Sequence, residues 1–310
     1  AGNFRETARP KTLLIARAVQ GVGASAPRTV SIAMVRDLFK GREMAQIVSV
    51  AMMIFTLVPA VAPLMGQGVM AFAGWQAIFL VYMGFAALVM LWIGARQPET
   101  LPLADRRPLA LRSLASATVE VLSHRIVLIS IATQTLTLGM LFAALSSMEG
   151  IFDQVFDRAE SFPLWFAVIA VASMSGSILN AKLVMKVGMR VMVKATYAGL
   201  LAATLIYLAA AATGLMPPTL AFAAHILWSI VLFAVMGLTL GNLSALAMEP
   251  LGHIAGLAAS VTSAIATVAS VLLAVPVGLM FNGTQLPLLI GVAVYGALAL
   301  VLSMGLKTRI

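Results

Sequence analysis

Three polar residues lie inside the first apolar stretch of the chain, where polar groups are expensive. Arg17, Gln20 and Arg28 fall within a run of apolar and small residues near positions 12–35. An arginine at the centre of a bilayer costs about 3 kcal/mol or more, so it usually faces protein or water and marks a functional site. Arg17 and Gln20 lie one turn apart on the same face, and we expect them to line a cavity.

Two of these three residues also have a simpler interpretation. Arg17 could brace neighbouring helices through its guanidinium group without contacting any ligand. Arg28 lies nearer the end of the run, where its long stem could snorkel to the membrane interface. The pattern therefore favours a functional site centred on Arg17, and it leaves the role of Arg28 open.

The composition is that of a membrane protein that crosses the bilayer several times. Of 310 residues, 61% are hydrophobic and only 10% are charged, and the mean hydropathy is +1.02. A soluble domain carries about 25% charged residues, so this chain could not cover a water-facing surface. The net charge of +9 does not predict nucleic-acid binding, because the basic residues are scattered between apolar runs.

The sequence offers no chemistry for an enzyme. It has no cysteine, which excludes disulfides, thiol catalysis and cysteine metal sites, and its three histidines are far apart. No nucleophile triad and no phosphate-binding loop of the ATPase type appear in it. We therefore predict a protein without catalytic activity, metal or cofactor.

Nine runs of about 20 apolar residues are long enough to span a bilayer as helices. Helices are expected because a span must satisfy its backbone hydrogen bonds internally. The predicted fold class is therefore an all-α membrane protein with nine transmembrane helices. The predicted spans lie near residues 12–35, 45–70, 75–95, 125–147, 163–184, 191–213, 219–245, 254–281 and 286–306.

The loop charges predict the orientation of these spans. Basic residues follow the first, third, fifth and ninth spans, whereas the short loops 71–74, 214–218 and 282–285 carry none. The positive-inside rule places the basic loops in the cytoplasm. We therefore expect a cytoplasmic C-terminus and, because nine is odd, an external N-terminus.

The longest cytoplasmic connection divides the chain into two predicted helix bundles. Residues 1–96 hold three spans, residues 97–124 form a linker rich in Pro and Arg, and residues 125–310 hold six spans. Transporters are often built from three-helix repeats paired within six-helix halves. We therefore expect three further spans upstream, which would complete the first bundle.

Five short motifs then give the chain a family resemblance. Residues 17–24 (RAVQGVGA) resemble the R-x-x-Q-G-x-G-A motif in the fourth helix of the major facilitator superfamily. Residues 58–66 (VPAVAPLMG) resemble the antiporter motif of the fifth helix, and residues 74–79 (GWQAIF) the start of the sixth. Pro98-Glu99-Thr100 is similar to the end of that helix. Residues 247–260 are similar to a segment of drug exporters of the bicyclomycin-resistance (Bcr/CflA) branch.

The resemblance implies a fold and a function. The chain would correspond to helices four to twelve of a twelve-helix, two-bundle fold. It would belong to a secondary-active multidrug efflux transporter that exchanges drugs for protons by alternating access across the bacterial inner membrane. Its partners would be small hydrophobic or amphiphilic substrates, protons and the lipid bilayer, and we expect a monomer. An exporter of a metabolite such as an amino acid or peptide, and a truncated membrane protein without transport, remain alternatives.

The resemblance also implies roles for particular residues. Arg17, Gln20 and Arg28 would take part in proton coupling or line the cavity, and Pro59, Pro63 and Gly66 would bend the antiporter-motif helix. The motif G-x-x-x-D-R-x-G-R is absent, and no Asp or Glu lies in the middle of a predicted span. Proton coupling is therefore implied by the resemblance alone.

Two further groups of residues complete the predicted site. Small residues allow helices to approach closely in membranes. The residues predicted to pack helices in this way are Gly21, Gly23, Gly237, Gly241 and Gly256. Gln134, Met140 and Met236 in the second bundle are candidate substrate contacts, with a helix-to-helix hydrogen bond as the alternative for Gln134.

Overall fold

The computed structural model of the chain describes residues 10–39, 47, 58, 61–100 and 118–306. The residues described there form nine apolar helices, and we number them in chain order. They are α1 (Pro10–Leu38), α2 (Val61–Ala73 in its described part), α3 (Gln76–Arg96), α4 (Arg125–Gln154), α5 (Phe162–Val187), α6 (Met189–Ala212), α7 (Pro218–Met248), α8 (Ala255–Leu279) and α9 (Leu286–Met304).

The predicted all-α membrane fold is confirmed. Seven of the described helices, α3 to α9, are long and apolar enough to cross a membrane. Helix α1 has 29 residues, and its described side chains include the shorter apolar segment Leu14–Ala24. The first part of the predicted span 45–70 lies largely outside the described residues.

Local sequence explains where several helices begin and end. Proline stands in the first turn of α5, α7 and α9, where its missing N–H is not needed. Gly188 alone separates α5 from α6, with φ of 82°, a conformation that only glycine adopts without strain. The turn at Asn282-Gly283 is stabilised by a hydrogen bond from the Thr284 N–H to Asn282 Oδ1 at 3.3 Å.

The described helices divide into two units. One contains α1 and α3, the other contains α4 to α9, and the described part of α2 is shared between the two divisions. Residues 118–123, within the predicted linker 97–124, are helical. The predicted boundaries at 1–96, 97–124 and 125–310 stay a prediction.

The described residues of the unit that contains α1 and α3 include few buried side chains. Helix α3 buries none of its side chains, and large apolar residues such as Met83 and Trp92 are two-thirds exposed. These side chains suit a hydrocarbon environment and not water.

The second unit is a bundle with a closely packed core. Helices α4 and α7 are central to it: α4 packs on α7, α8 and α9, and α7 packs on α4, α5 and α6. Met140 of α4, Tyr197 of α6 and Leu243 of α7 are almost completely buried between them. Polar residues on α4 and α7 are therefore held inside the protein, where each needs a partner.

Candidate functional site

The first candidate site is built around Arg17 of α1. Its Nη1 donates a hydrogen bond to Gln20 Oε1 at 3.0 Å, as expected for residues one turn apart. Its Cζ lies 5.4 Å from the ring centroid of Phe79 in α3, within the range of a cation–π contact. Both Arg17 and Gln20 are exposed. Since a guanidinium has five N–H donors, the bond to Gln20 does not exhaust its capacity to bind a carboxylate or a substrate.

The other predicted residues of α1 and α2 have few described contacts. The side chain of Arg28 and all of Pro59 lie outside the described residues. Pro63 and Gly66 are half-buried in α2. A Cβ added at Gly21, Gly23 or Gly66 would meet no atom of the described chain within 4 Å. The packing roles predicted for these glycines stay predictions.

Helices α5 and α7 cross at very short range. A Cβ on Gly237 would clash with Ser177 Oγ and lie 2.7 Å from the Ser177 backbone nitrogen. On the other side of the crossing, a Cβ on Gly176 would clash with the backbone carbonyl of Ala234. Gly237 was predicted to pack helices because a second glycine, Gly241, lies four residues later. Gly176 was not predicted, although it lies between Ser175 and Ser177, and small residues of this kind also favour close helix packing.

The other predicted packing glycines do not share this crossing. Gly241 lies one turn after Gly237, and a Cβ there would meet nothing within 4 Å. Gly256 is in the first turn of α8, and the surroundings of its side-chain position lie outside the described set.

Gln134 lies at the centre of the second unit with half of its amide unpaired. The residue is 4% exposed, and its Oε1 accepts a hydrogen bond from Ser244 Oγ of α7 at 3.5 Å, the outer limit for such a bond. Its Nε2 has no partner among the described residues. The weak bond is the helix-to-helix contact considered above, and the unpaired N–H donors are what a substrate acceptor would use.

A second amide pair joins α5 to α7. Asn242 Nδ2 donates to Asn180 Oδ1 at 2.7 Å and to the Leu238 carbonyl at 2.8 Å. These bonds satisfy the buried amide of Asn242, so this pair has a structural role. At Gln134, by contrast, the Nε2 N–H donors have no partner among the described residues.

The two predicted methionine contacts have different surroundings. Met140 is 1% exposed and belongs to the core of the bundle, beside residues such as Ala143 and Leu136. Met236 on α7 is half-buried. Their role as substrate contacts stays a prediction.

Sequence reasoning missed a buried histidine. His225 of α7 is fully buried and neither ring nitrogen has a hydrogen-bond partner among the described residues. Its ring is surrounded by those of Phe152, Phe156, Tyr207 and Trp228. The signal was present, since a histidine inside a predicted span is as unusual as an arginine there.

It also missed an ion pair between two polar ends of helices. Arg190 Nη2 of α6 lies 2.6 Å from Glu249 Oε2, in the 3₁₀ turn Glu249–Ile254 that follows α7. The two residues are 59 positions apart. No local pattern could have paired them, because α6 is basic at this end and offers several alternatives.

Among the described residues no three His, Asp or Glu side chains are grouped so as to hold a metal ion. What the described part of the chain presents is a cation on an apolar helix, an unpaired buried amide and closely packed helix crossings.

The profile of the Major Facilitator Superfamily matches residues 4–275, and the chain belongs to this superfamily. It is thus a multi-pass membrane protein of a transporter family, which confirms the expectation that it is not an enzyme.

Individual relatives agree with this assignment. An uncharacterized MFS-type transporter YdgK of Bacillus subtilis is 31% identical over 80% of this chain and 61% of its own. A bicyclomycin resistance protein homolog of Haemophilus influenzae is 31% identical over 57% of this chain and 45% of its own. A multidrug resistance protein MdtL of Klebsiella pneumoniae is 28% identical over 53% and 41%. The last two support the resemblance to the drug-efflux branch.

The chain spans about three fifths or less of the length of these relatives. The activity and the substrates of a whole transporter are therefore a matter for proposal.

Proposed function

We propose that the chain belongs to a secondary-active multidrug efflux transporter of the bacterial inner membrane. The transporter exports small hydrophobic or amphiphilic drugs in exchange for protons, by alternating access, with its C-terminus in the cytoplasm. Relatives named for bicyclomycin and multidrug resistance support the substrate class.

The observation that carries the proposal is the arrangement at Arg17. Its guanidinium is bonded to Gln20 and faces the ring of Phe79, inside a motif that resembles the fourth helix of the superfamily. A cation kept at this cost in an apolar helix needs a use. Binding an electron-rich group of the drug provides one.

The second unit contains a buried polar group suited to binding a substrate. The unpaired Nε2 donors of Gln134 are held inside the bundle on α4. Binding sites for drugs are mostly apolar with a few polar groups that fix orientation, and Gln134 fits that description. The close crossing of α5 and α7 at Gly176 and Gly237 keeps the unit rigid, as alternating access between rocking bundles requires.

The experiment uses everted membrane vesicles that contain the full-length protein. A pH gradient is formed first, and bicyclomycin or ethidium is then added. Antiport predicts that the added drug dissipates the gradient in vesicles with the protein and leaves it unchanged in vesicles without it.

Variants of Arg17 link this activity to the site. Arg17→Ala should lower drug-induced dissipation at least tenfold, and Arg17→Lys should restore little, since lysine keeps the charge but lacks the fork. The matched control is Arg96→Ala, which removes an exposed arginine from the end of α3 and should transport normally. Normal transport by Arg17→Ala at normal expression would overturn the proposed role of Arg17.

A further inference from the structure

His225 lies in an aromatic cluster that contains no partner for it. Its ring centroid is 5.3 Å from that of Phe156, 5.8 Å from Trp228, 6.1 Å from Tyr207 and 6.2 Å from Phe152. These rings come from α4, the turn after it, α6 and α7, so the imidazole is enclosed on several sides. The cluster is near the start of α7, in the half of the bundle that the loop charges place outside.

The polar atoms beside this imidazole are unpaired as well. Neither the Tyr207 hydroxyl nor Ser229 Oγ has a hydrogen-bond partner among the described residues. Ser229 lies one turn after His225 on α7. A buried polar group without a partner is destabilising, and phenylalanine or alanine could fill the same space without that penalty. By contrast, Trp228 Nε1 in the same cluster donates to Thr204 Oγ1 at 3.0 Å. Within this cluster the unpaired atoms belong to His225, Tyr207 and Ser229.

We propose that His225 is a proton-binding residue of the transport cycle. This inference rests on the proposed drug–proton antiport and names a group that performs it. Imidazole is the side chain whose ordinary titration falls in the physiological range. No Asp or Glu lies in the middle of a predicted span of this chain, so His225 occupies a position that a membrane carboxylate would otherwise fill.

The proton step is balanced within one side chain. In the outward-accessible state, the ring nitrogen without a hydrogen takes one proton from outside and the imidazole becomes an imidazolium. After the change of access the same nitrogen releases that proton towards the cytoplasm, and the neutral imidazole is restored. A drug molecule moves outward in the intervening half of the cycle.

The surroundings determine how a charged His225 would be stabilised. On α6 the titratable group that faces it is Tyr207. Helix α4 presents the uncharged ring of Phe152, and the turn after α4 presents that of Phe156. Glu149 and Asp153 on α4 are exposed. The guanidinium of Arg158 lies 4.6 Å from the centroid of the Phe222 ring.

No carboxylate therefore pairs with the imidazolium among the described groups. The tilted faces of Phe156, Tyr207 and Trp228 are the groups that can stabilise it, through cation–π attraction. Because ring faces and not a carboxylate would stabilise the imidazolium, the loss of its proton would leave no unpaired carboxylate in the protein.

The test replaces His225 by glutamine in the full-length protein. His225→Gln keeps a hydrogen-bond donor and an acceptor in a similar volume, but it does not take up a proton at neutral pH. In everted vesicles we expect drug-induced dissipation of a pH gradient to fall at least tenfold. Drug movement down its own gradient, with no pH gradient present, should stay within about twofold of the wild-type rate. The control is His124→Gln at the boundary of α4, which should preserve both activities.

Each outcome separates this inference from the proposed function. If His225→Gln couples drug and proton movement like the wild type, the inference about His225 is wrong and the antiport stands. If the wild-type protein moves drug without protons, the proposed antiport fails and this inference fails with it.

A second measurement needs no variant that must fold. Purified wild-type protein in weak buffer is mixed with drug between pH 5 and 8, and the protons released are counted with an indicator dye. We expect about one proton to be released per protein when the drug is added. No release would overturn the assignment to His225.

Discussion

Arg190 at the start of α6 and Glu249 just after α7 form an ion pair, with Nη2 and Oε2 2.6 Å apart. The pair joins two helix ends that the loop charges place at the cytoplasmic face. The side chains are 25% and 40% exposed. It is therefore neither a deeply buried pair nor a fully solvated one.

The first prediction is that this pair contributes modest stability. Exposed ion pairs measured by double-mutant cycles are worth about 0.2–1 kcal/mol, and the partial burial of Arg190 favours the upper part of that range. Arg190→Gln and Glu249→Gln should each lower the apparent Tm of the purified protein by a few degrees. The double variant should be no worse than the worse single variant, because only one interaction is lost.

The control for the ion pair is Lys186→Gln on the neighbouring surface of α5, which is exposed. It should leave the apparent Tm unchanged. Additive losses in the double variant would show that Arg190 and Glu249 act independently, contrary to this prediction.

A second prediction concerns the crossing of α5 and α7. Gly176→Ala and Gly237→Ala each place a Cβ against backbone atoms of the other helix, so the helices must separate. Overpacking of this kind typically costs about 1–3 kcal/mol. We expect a fall of several degrees in apparent Tm, measured by size-exclusion chromatography after heating, together with reduced transport.

The same helix provides the matched control for this crossing. Gly241→Ala lies one turn from Gly237 in open space, and alanine is the better helix former by up to about 1 kcal/mol. That variant should be unchanged or slightly more stable. Equal destabilisation by Gly237→Ala and Gly241→Ala would contradict the packing argument.

The third prediction separates substrate binding from structure at Gln134. Because its Nε2 donors are unpaired, Gln134→Leu should weaken binding of drugs with hydrogen-bond acceptors about threefold to tenfold, the effect of one neutral hydrogen bond. Ser244→Ala removes only the long 3.5 Å bond and should change affinity much less. Equilibrium binding of a fluorescent drug to purified protein measures both.

The opposite result would also be informative at Gln134. If Gln134→Leu leaves affinity unchanged while Ser244→Ala lowers stability, the amide serves to join α4 to α7. The role as a substrate contact would then be wrong.

A fourth prediction tests orientation. The chain has no cysteine, so a single introduced cysteine is a unique label site within it. Glu160→Cys, in the loop before α5, should react with an impermeant maleimide in right-side-out vesicles. Lys186→Cys, at the other end of α5, should react only after permeabilisation. The reverse pattern would invert the predicted topology and the cytoplasmic C-terminus with it.

The sequence allowed the helices to be predicted closely, because length and hydropathy determine a membrane span almost alone. The predicted spans 163–184 and 286–306 correspond to Phe162–Val187 and Leu286–Met304. Helix α4 ends seven residues later than predicted, at Gln154 and not at 147, because polar residues there still complete helical turns.

The site was less predictable, because its contacts join residues far apart in the chain. Arg17 and Gln20 could be paired from helical spacing, and Phe79 could not. Likewise, a periodic pattern cannot show that His225 meets rings from α4 and α6. Only the three-dimensional packing shows which buried polar groups have partners, as Asn242 does, and which do not, as with Gln134.

The one-residue joint at Gly188 restricts which changes the chain can accept there. Since α5 and α6 are separated by Gly188 alone, no free loop lies between them to absorb an altered residue. A side chain at Gly188, where φ is 82°, would strain the backbone at the point where one span ends and the next begins.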